Sequence, residues 1–210
     1  MSELVLPMVV RIERDDPPAR TDALEAAARA VLLMLTADRL EWEPAVSAWD
    51  AQRIRKVVRR ARGADWRRAE GVDGLDAPWR GAQLRVYPPV PIDGWPPELA
   101  RLQVGGTTLD DPSPPGPAAT GTPLVLLTPR APMTAGKAMA QAAHATQLGW
   151  RTLGRRDRHR WQEAGFPVAV RDATEEQWTD AIARGAAVVH DGGFTEVVPG
   201  TATALFTVAR

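Results

Sequence analysis

The chain has 210 residues, with 26 basic and 26 acidic side chains and no cysteine. Its length can bury a sizeable core or two small α/β units in tandem; its charge balance excludes the strong positive excess of a dedicated nucleic-acid binder; and the lack of cysteine excludes a disulfide framework and thiolate metal sites. No stretch approaches the roughly 20 apolar residues that span a bilayer, and residues 4–10 are too short and lack the basic flank of a signal peptide, so the sequence reads as soluble with the cytoplasm as its default compartment.

In the N-terminal part, residues 9–12 are an apolar strand, Pro17 and Pro18 break the chain, and an alanine-rich helix runs over 21–35. Further on, Arg53, Arg55, Lys56, Arg59, Arg60, Arg62, Arg67 and Arg68 crowd one expected helix and its exit, with Ile54, Val57, Val58 and Ala61 as its apolar stripe and Trp66 among the cations. Residues 105–122, GGTTLDDPSPPGPAATGT, carry no periodic apolar positions and read as a Pro/Gly-rich linker. The expected organisation is therefore an N-terminal α/β domain over 1–104, the linker over 105–122, and a second domain over 123–210.

In that second domain, residues 124–127 are a continuous apolar run, as expected of a central strand covered on both faces. After Pro129 and Pro132, Thr134 is placed to cap a helix carrying Lys137, Gln141, His144 and Leu148. A second helix over 155–164 ends at Gly165, and 166–171 reads as a strand. Asp172 then opens a helix with Ala173, Trp178, Ile182 and Ala183 inward, closed by Gly185, before strands at 186–190 and 202–208. Strands alternating with helices, the last two strands joined by a short turn region, predict an α/β fold: three α/β/α layers around a mixed, roughly four-stranded sheet.

The N-terminal part repeats the order strand, prolines, alanine-rich helix. Residues 46–64, VSAWDAQRIRKVVRRARGA, also match 168–186, VAVRDATEEQWTDAIARGA, at the first Val, the Asp-Ala pair and the closing Ala-Arg-Gly-Ala. The reading is either a degenerate duplicate of the second domain or an unrelated α+β cap.

Lys137, Gln141 and His144 stand at i, i+4 and i+7 and form one polar stripe on a helix otherwise lined by Ala138, Ala142, Ala143 and Ala145. Lys137 lies in the first turn, where its charge opposes the helix dipole, a placement that makes sense if an anion such as a phosphate binds at that terminus. Asp191 follows an apolar strand and precedes two glycines, so its carboxylate projects from a sheet end, the usual ligand edge of such folds. Thr195 and Thr203 offer hydroxyls nearby. The cations Arg53, Lys56, Arg59 and Arg60 are candidates for tracking an RNA backbone, against the alternative of a solvated charged face.

The segment 133–145, MTAGKAMAQAAHA, is similar to the signature opening the first helix of type-2 peptidyl-tRNA hydrolases. Segment 191–203, DGGFTEVVPGTAT, resembles that family's second signature, and the likeness covers nearly all of 123–210. The resemblance implies hydrolysis of the ester joining a peptide to tRNA. Lys137, Asp191 and Thr195 would be catalytic; Gln141, His144 and Thr203 would bind substrate; no metal or other cofactor would be needed; and tRNA would be the partner, with no membrane involved. Ala135, Phe194 and Glu196 depart from the family pattern, each making the site less positive. They favour, as the alternative, a catalytically silent tRNA- or protein-binding module; hydrolysis of a small ester unrelated to tRNA is a third reading. In a duplicate, Asp22, Ala26 and Arg29 would replace Lys137, Gln141 and His144, leaving the N-terminal half without a catalytic set. A monomer would follow from such a duplicate, and a homodimer would be open otherwise.

Overall fold

The computed structural model describes residues 2–193 and 196–210. In chain order the N-terminal half forms β1 (Leu4–Arg11), α1 (Arg20–Leu35), α2 (Glu43–Asp50), β2 (Arg55–Ala61), α3 (Gly63–Glu70), β3 (Leu75–Asp76), β4 (Leu84–Val86), β5 (Val90–Pro91), α4 (Pro97–Ala100) and β6 (Gln103–Val104). The C-terminal half forms β7 (Pro123–Leu127), α5 (Ala135–Thr152), α6 (Arg155–Glu163), β8 (Ala169–Asp172), α7 (Glu175–Ala183), β9 (Ala187–His190) and β10 (Ala202–Val208). The class is mixed α/β, with one mixed sheet in each half.

The strand order is β3-β4-β1-β2-β6 in the first sheet, with β5 also on β1, and β8-β7-β10-β9 in the second. β1 runs parallel to β2 and antiparallel to β4, and β7 runs parallel to β8 and antiparallel to β10. β1 is apolar from Leu4 to Val10 because it is covered on both faces. Pro7, which has no N–H to donate, falls between the β1 residues that pair with β5 and those that pair with β4.

Helices α1 and α5 pack on each other between the sheets. Ala23, Ala26, Ala27 and Ala30 on α1, and Ala138, Ala142 and Ala145 on α5, are fully buried, which lets the two backbones approach. Met8 and Val10 of the first sheet and Val125 and Leu127 of the second join them in one continuous core. On the outer face of the second sheet, Trp178 and Ala181 of α7 cover Leu126 and Leu205; on the outer face of the first, Trp66, Ala69 and Leu99 cover Val9 and Tyr87.

Polar ties cross between the halves. The Glu25 carboxylate, 1% exposed, accepts from Arg171 at 2.8 Å, from Trp79 Nε1 at 2.8 Å and from the Val170 amide at 3.3 Å. Arg20 forks onto Asp172 at 2.8 and 3.0 Å. Segment 105–122 has neither helix nor strand, yet it is no free tether: Thr107 and Leu109 are buried, the Thr107 carbonyl accepts from the Ala135 amide, and Asp111 accepts from the Thr21 amide and hydroxyl.

Several expectations are corrected. The basic stretch at Arg53–Arg62 is not a helix: residues 55–61 form β2, paired along its length with β1, and Val57 and Val58 satisfy a sheet instead of a helix stripe. The matched segments 46–64 and 168–186 are not structural equivalents, since Val46 lies in helix α2 and Val168 at the entry to β8. α7 opens at Thr174, whose hydroxyl and Gln177 form a reciprocal capping box, while Asp172 ends β8. On α7 the inward residues are Trp178, as expected, and Ala181; Ile182 and Ala183 are exposed.

Candidate functional site

Helix α5, the turn after β9 and a wall from the N-terminal half line a cleft of about 460 Å³. Helix α5 supplies one wall through Gly136, Lys137, Ala140, Gln141 and His144, and the turn after β9 supplies His190, Asp191 and Gly192. The facing wall comes from the N-terminal half: Glu3, Arg53, Arg55, Lys56, Val57, Val58, Val104 and Gly105.

Thr134 caps α5 by accepting from the Lys137 amide, which sets the register that puts Lys137, Gln141 and His144 on the cleft side. The turn carries Asp191 back across the helix start: its amide donates to the Thr201 carbonyl and its own carbonyl accepts from Gly200, at 2.9 and 2.7 Å. The Asp191 carboxylate, 6% exposed, then meets three donors: Lys137 Nζ at 2.5 Å, Gln141 Nε2 at 2.8 Å and the Gly193 amide at 2.7 Å. Gly193 has φ of 73° and lies so close to Pro199 that a Cβ would fall 2.2 Å from its ring, so the tight turn requires glycine. Thr203, fully buried, donates to Gln141 Oε1 at 2.6 Å and thereby fixes which end of the amide faces Asp191.

Of the expected site residues, Lys137, Gln141, His144 and Asp191 line the cleft together. Thr203 does not face it and acts through Gln141. Thr195 lies outside the described residues, as does Phe194. Glu196 has a definite place: its carboxylate accepts from the Thr134 amide at 2.9 Å and hydroxyl at 2.6 Å, so the anion at the α5 N-terminus is the protein's own.

His144 is held neutral. Burial first, then the charges of Lys56, Arg151 and Lys137, push its imidazole down to about 2. It therefore offers this cationic cleft a hydrogen-bonding group with no charge.

The four RNA-contact candidates separate. Arg53 and Lys56 line the cleft. Arg59 is committed to structure, donating to the Ala100 and Leu102 carbonyls at 2.9 and 2.6 Å and lying 4.3 Å over Trp95, while Arg60 donates to Gln103 at 2.6 Å. The N-terminal wall, with Glu3, Val57, Val58 and Val104, and His190 at the rim were missed from sequence. Apart from the basic residues Arg53 and Lys56, no local signal marks that wall, because it depends on how α5 docks across β2. Among the described residues no group of three or more His, Asp or Glu side chains could hold a metal ion, and no helix is long and apolar enough to cross a membrane.

Compared with known proteins, the chain matches no family model, no curated protein and no solved structure.

Proposed function

We propose that the chain hydrolyses the ester of peptidyl-tRNA or a related N-blocked aminoacyl-tRNA at the Lys137–Asp191 site. The observation that carries this reading is the convergence of Lys137 and Gln141 on the Asp191 carboxylate, in the wall of a cleft where Arg53, Arg55 and Lys137 alone outnumber its two carboxylates, Glu3 and Asp191. Such a surplus suits the anionic end of a nucleic acid. In this reading Asp191 orients the attacking water and takes its proton. Lys137 stabilises the negative charge that develops on the ester oxygen, and the bond to ribose breaks with proton return to the departing hydroxyl. Thr195 is assigned to positioning either group.

We also propose that the halves are degenerate copies of one three-layer α/β/α unit. In support, both run strand, two helices, strand, helix, two strands, and the orders β2-β1-β4-β3 and β8-β7-β10-β9 coincide with the same parallel and antiparallel pairings. The α1–α5 packing then takes the place of a dimer contact, and the chain acts as a monomer. In the N-terminal copy Asp22, Ala26 and Arg29 replace the catalytic stripe, and Arg29 is occupied by the Pro78 and Gly165 carbonyls.

One observation favours the second reading, a silent tRNA- or protein-binding module: Glu196 already occupies the α5 N-terminus, where a substrate phosphate would sit. Release of the acyl group from N-acetylated aminoacyl-tRNA by the purified protein tests the choice. Release well above the spontaneous rate supports the hydrolase; salt-sensitive tRNA binding without release supports the module.

A further inference from the structure

The chain holds only two lysines, Lys56 and Lys137, and both line the cleft, one from each half. Elsewhere it supplies side-chain positive charge as arginine, which stays protonated, whereas a lysine can shed its proton and become a nucleophile. Lys137 is ion-paired to Asp191. Lys56 is held in another way.

Lys56 Nζ donates to the Ile54 carbonyl at 3.0 Å and to Gln147 Oε1 at 2.6 Å. Gln147 cannot be turned round, because its Nε2 donates to Asp50 Oδ1 at 2.5 Å. Two acceptors match the two N–H bonds of a neutral amine and leave its lone pair. Asp50, the carboxylate that would favour the ammonium, is shared by Gln147 and Arg151. The backbone is bent to deliver one acceptor: Ile54 has φ of 48°, a conformation that β-branched residues rarely adopt.

Burial, reinforced by the Arg151 charge, pushes the Lys56 amine well below the ordinary lysine range, and Asp50 acts in the opposite direction without balancing them. The Trp49 ring, 4.9 Å from Nζ, favours a cation by its quadrupole and so acts with Asp50 against this shift.

We propose that Lys56 is a carbonyl-reactive amine, which condenses with a small anionic aldehyde or 2-oxo acid drawn into the cleft by Arg53 and Arg55. The lone pair attacks the carbonyl carbon to form the C–N bond, the oxygen gains a proton, and loss of water leaves the imine; both amine hydrogens depart with that oxygen, and no oxidant or reductant is consumed. This activity stands apart from ester hydrolysis and needs no tRNA.

The test is reductive trapping of the whole protein with glyoxylate and cyanoborohydride near neutral pH, with the modified sites mapped by mass spectrometry. Two lysines and the N-terminus make the assignment unambiguous. Lys56 is expected to be modified ahead of Lys137, by roughly tenfold for each pH unit by which its titration lies below that of an ordinary lysine. The Lys56→Arg variant keeps a long donor side chain and loses the label; should it fail to fold, the wild-type map and its pH profile still decide. Preferential modification of Lys137 or the N-terminus, or a Lys56 profile with the ordinary midpoint near 10.5, overturns the proposal.

Discussion

Lys137 and Asp191, 54 residues apart in sequence, meet at 2.5 Å with side chains 11% and 6% exposed. An ion pair withdrawn this far from water is more informative about function than about stability, because desolvation offsets much of its attraction. Breaking it from one side is still costly. Lys137→Met leaves the Asp191 carboxylate without its cation while Gln141 and the Gly193 amide still donate to it, and the expected loss is about 3 kcal/mol. Denaturant unfolding checks it, and an unchanged midpoint would mean that the pair is solvated.

Glu25 ties the halves together from α1, accepting from Arg171, Trp79 and Val170 while 1% exposed. Glu25→Ala should cost about 3 kcal/mol, since it leaves the Arg171 guanidinium with the Gly116 and Val170 carbonyls in place of its carboxylate and strips the Trp79 indole N–H of its acceptor. In a double-mutant cycle with Arg171→Met the two losses should fall well short of adding.

Gly149 lies within α5, where alanine would ordinarily stabilise by roughly 1 kcal/mol. Here a Cβ would stand 2.2 Å from the Phe206 ring, which itself packs against Trp161. Overpacking outweighs propensity: Gly149→Ala should destabilise by about 1–3 kcal/mol, and Phe206→Leu in the same chain should recover part of it. Thermal melting of the wild type and the two variants gives the sign.

His144 makes stability depend on pH. Its folded-state value, about 2, lies below the ordinary histidine value of 6.5, so the unfolded chain binds the extra proton first. Above pH 6.5 the group has no effect; as pH falls below 6.5 the folded state loses stability, at most about 1.4 kcal/mol per pH unit. His144→Gln should flatten the slope between pH 6.5 and 5 in denaturant titrations. An equal slope in both proteins would mean that the imidazole protonates freely in the folded state.

The C-terminal half was legible because its signals are local. Thr134 caps where a capping threonine should, residues 124–127 read as the central strand they are, and the i, i+4, i+7 stripe of Lys137, Gln141 and His144 does face one cleft. The stretch from Arg53 to Arg62 misled because Ile54, Val57, Val58 and Ala61 also fit a helical spacing; pairing with β1 decides for the strand, and their β-branched content was the available cue. The left-handed turn at Ile54 that admits this strand has no sequence signature, since glycine or asparagine would be expected there. Lys56 reaches the cleft only through that turn, which is why its amine could not be told from a solvated cation.

The most direct test of the central claim is single-turnover release of the acyl group from N-acetylated aminoacyl-tRNA by the wild type and by Asp191→Asn, with tRNA binding measured on the same samples. Asp191→Asn removes the charge that activates water and keeps one amide oxygen, which can accept from Lys137 and Gln141 in the Oδ2 position but then turns an NH2 toward the Gly193 amide, so the fold of the variant is checked alongside. The account predicts release by the wild type and a loss of about 10²-fold or more in the variant, with binding retained. Equal rates in the two proteins, or no release by a wild type that still binds tRNA, would contradict it.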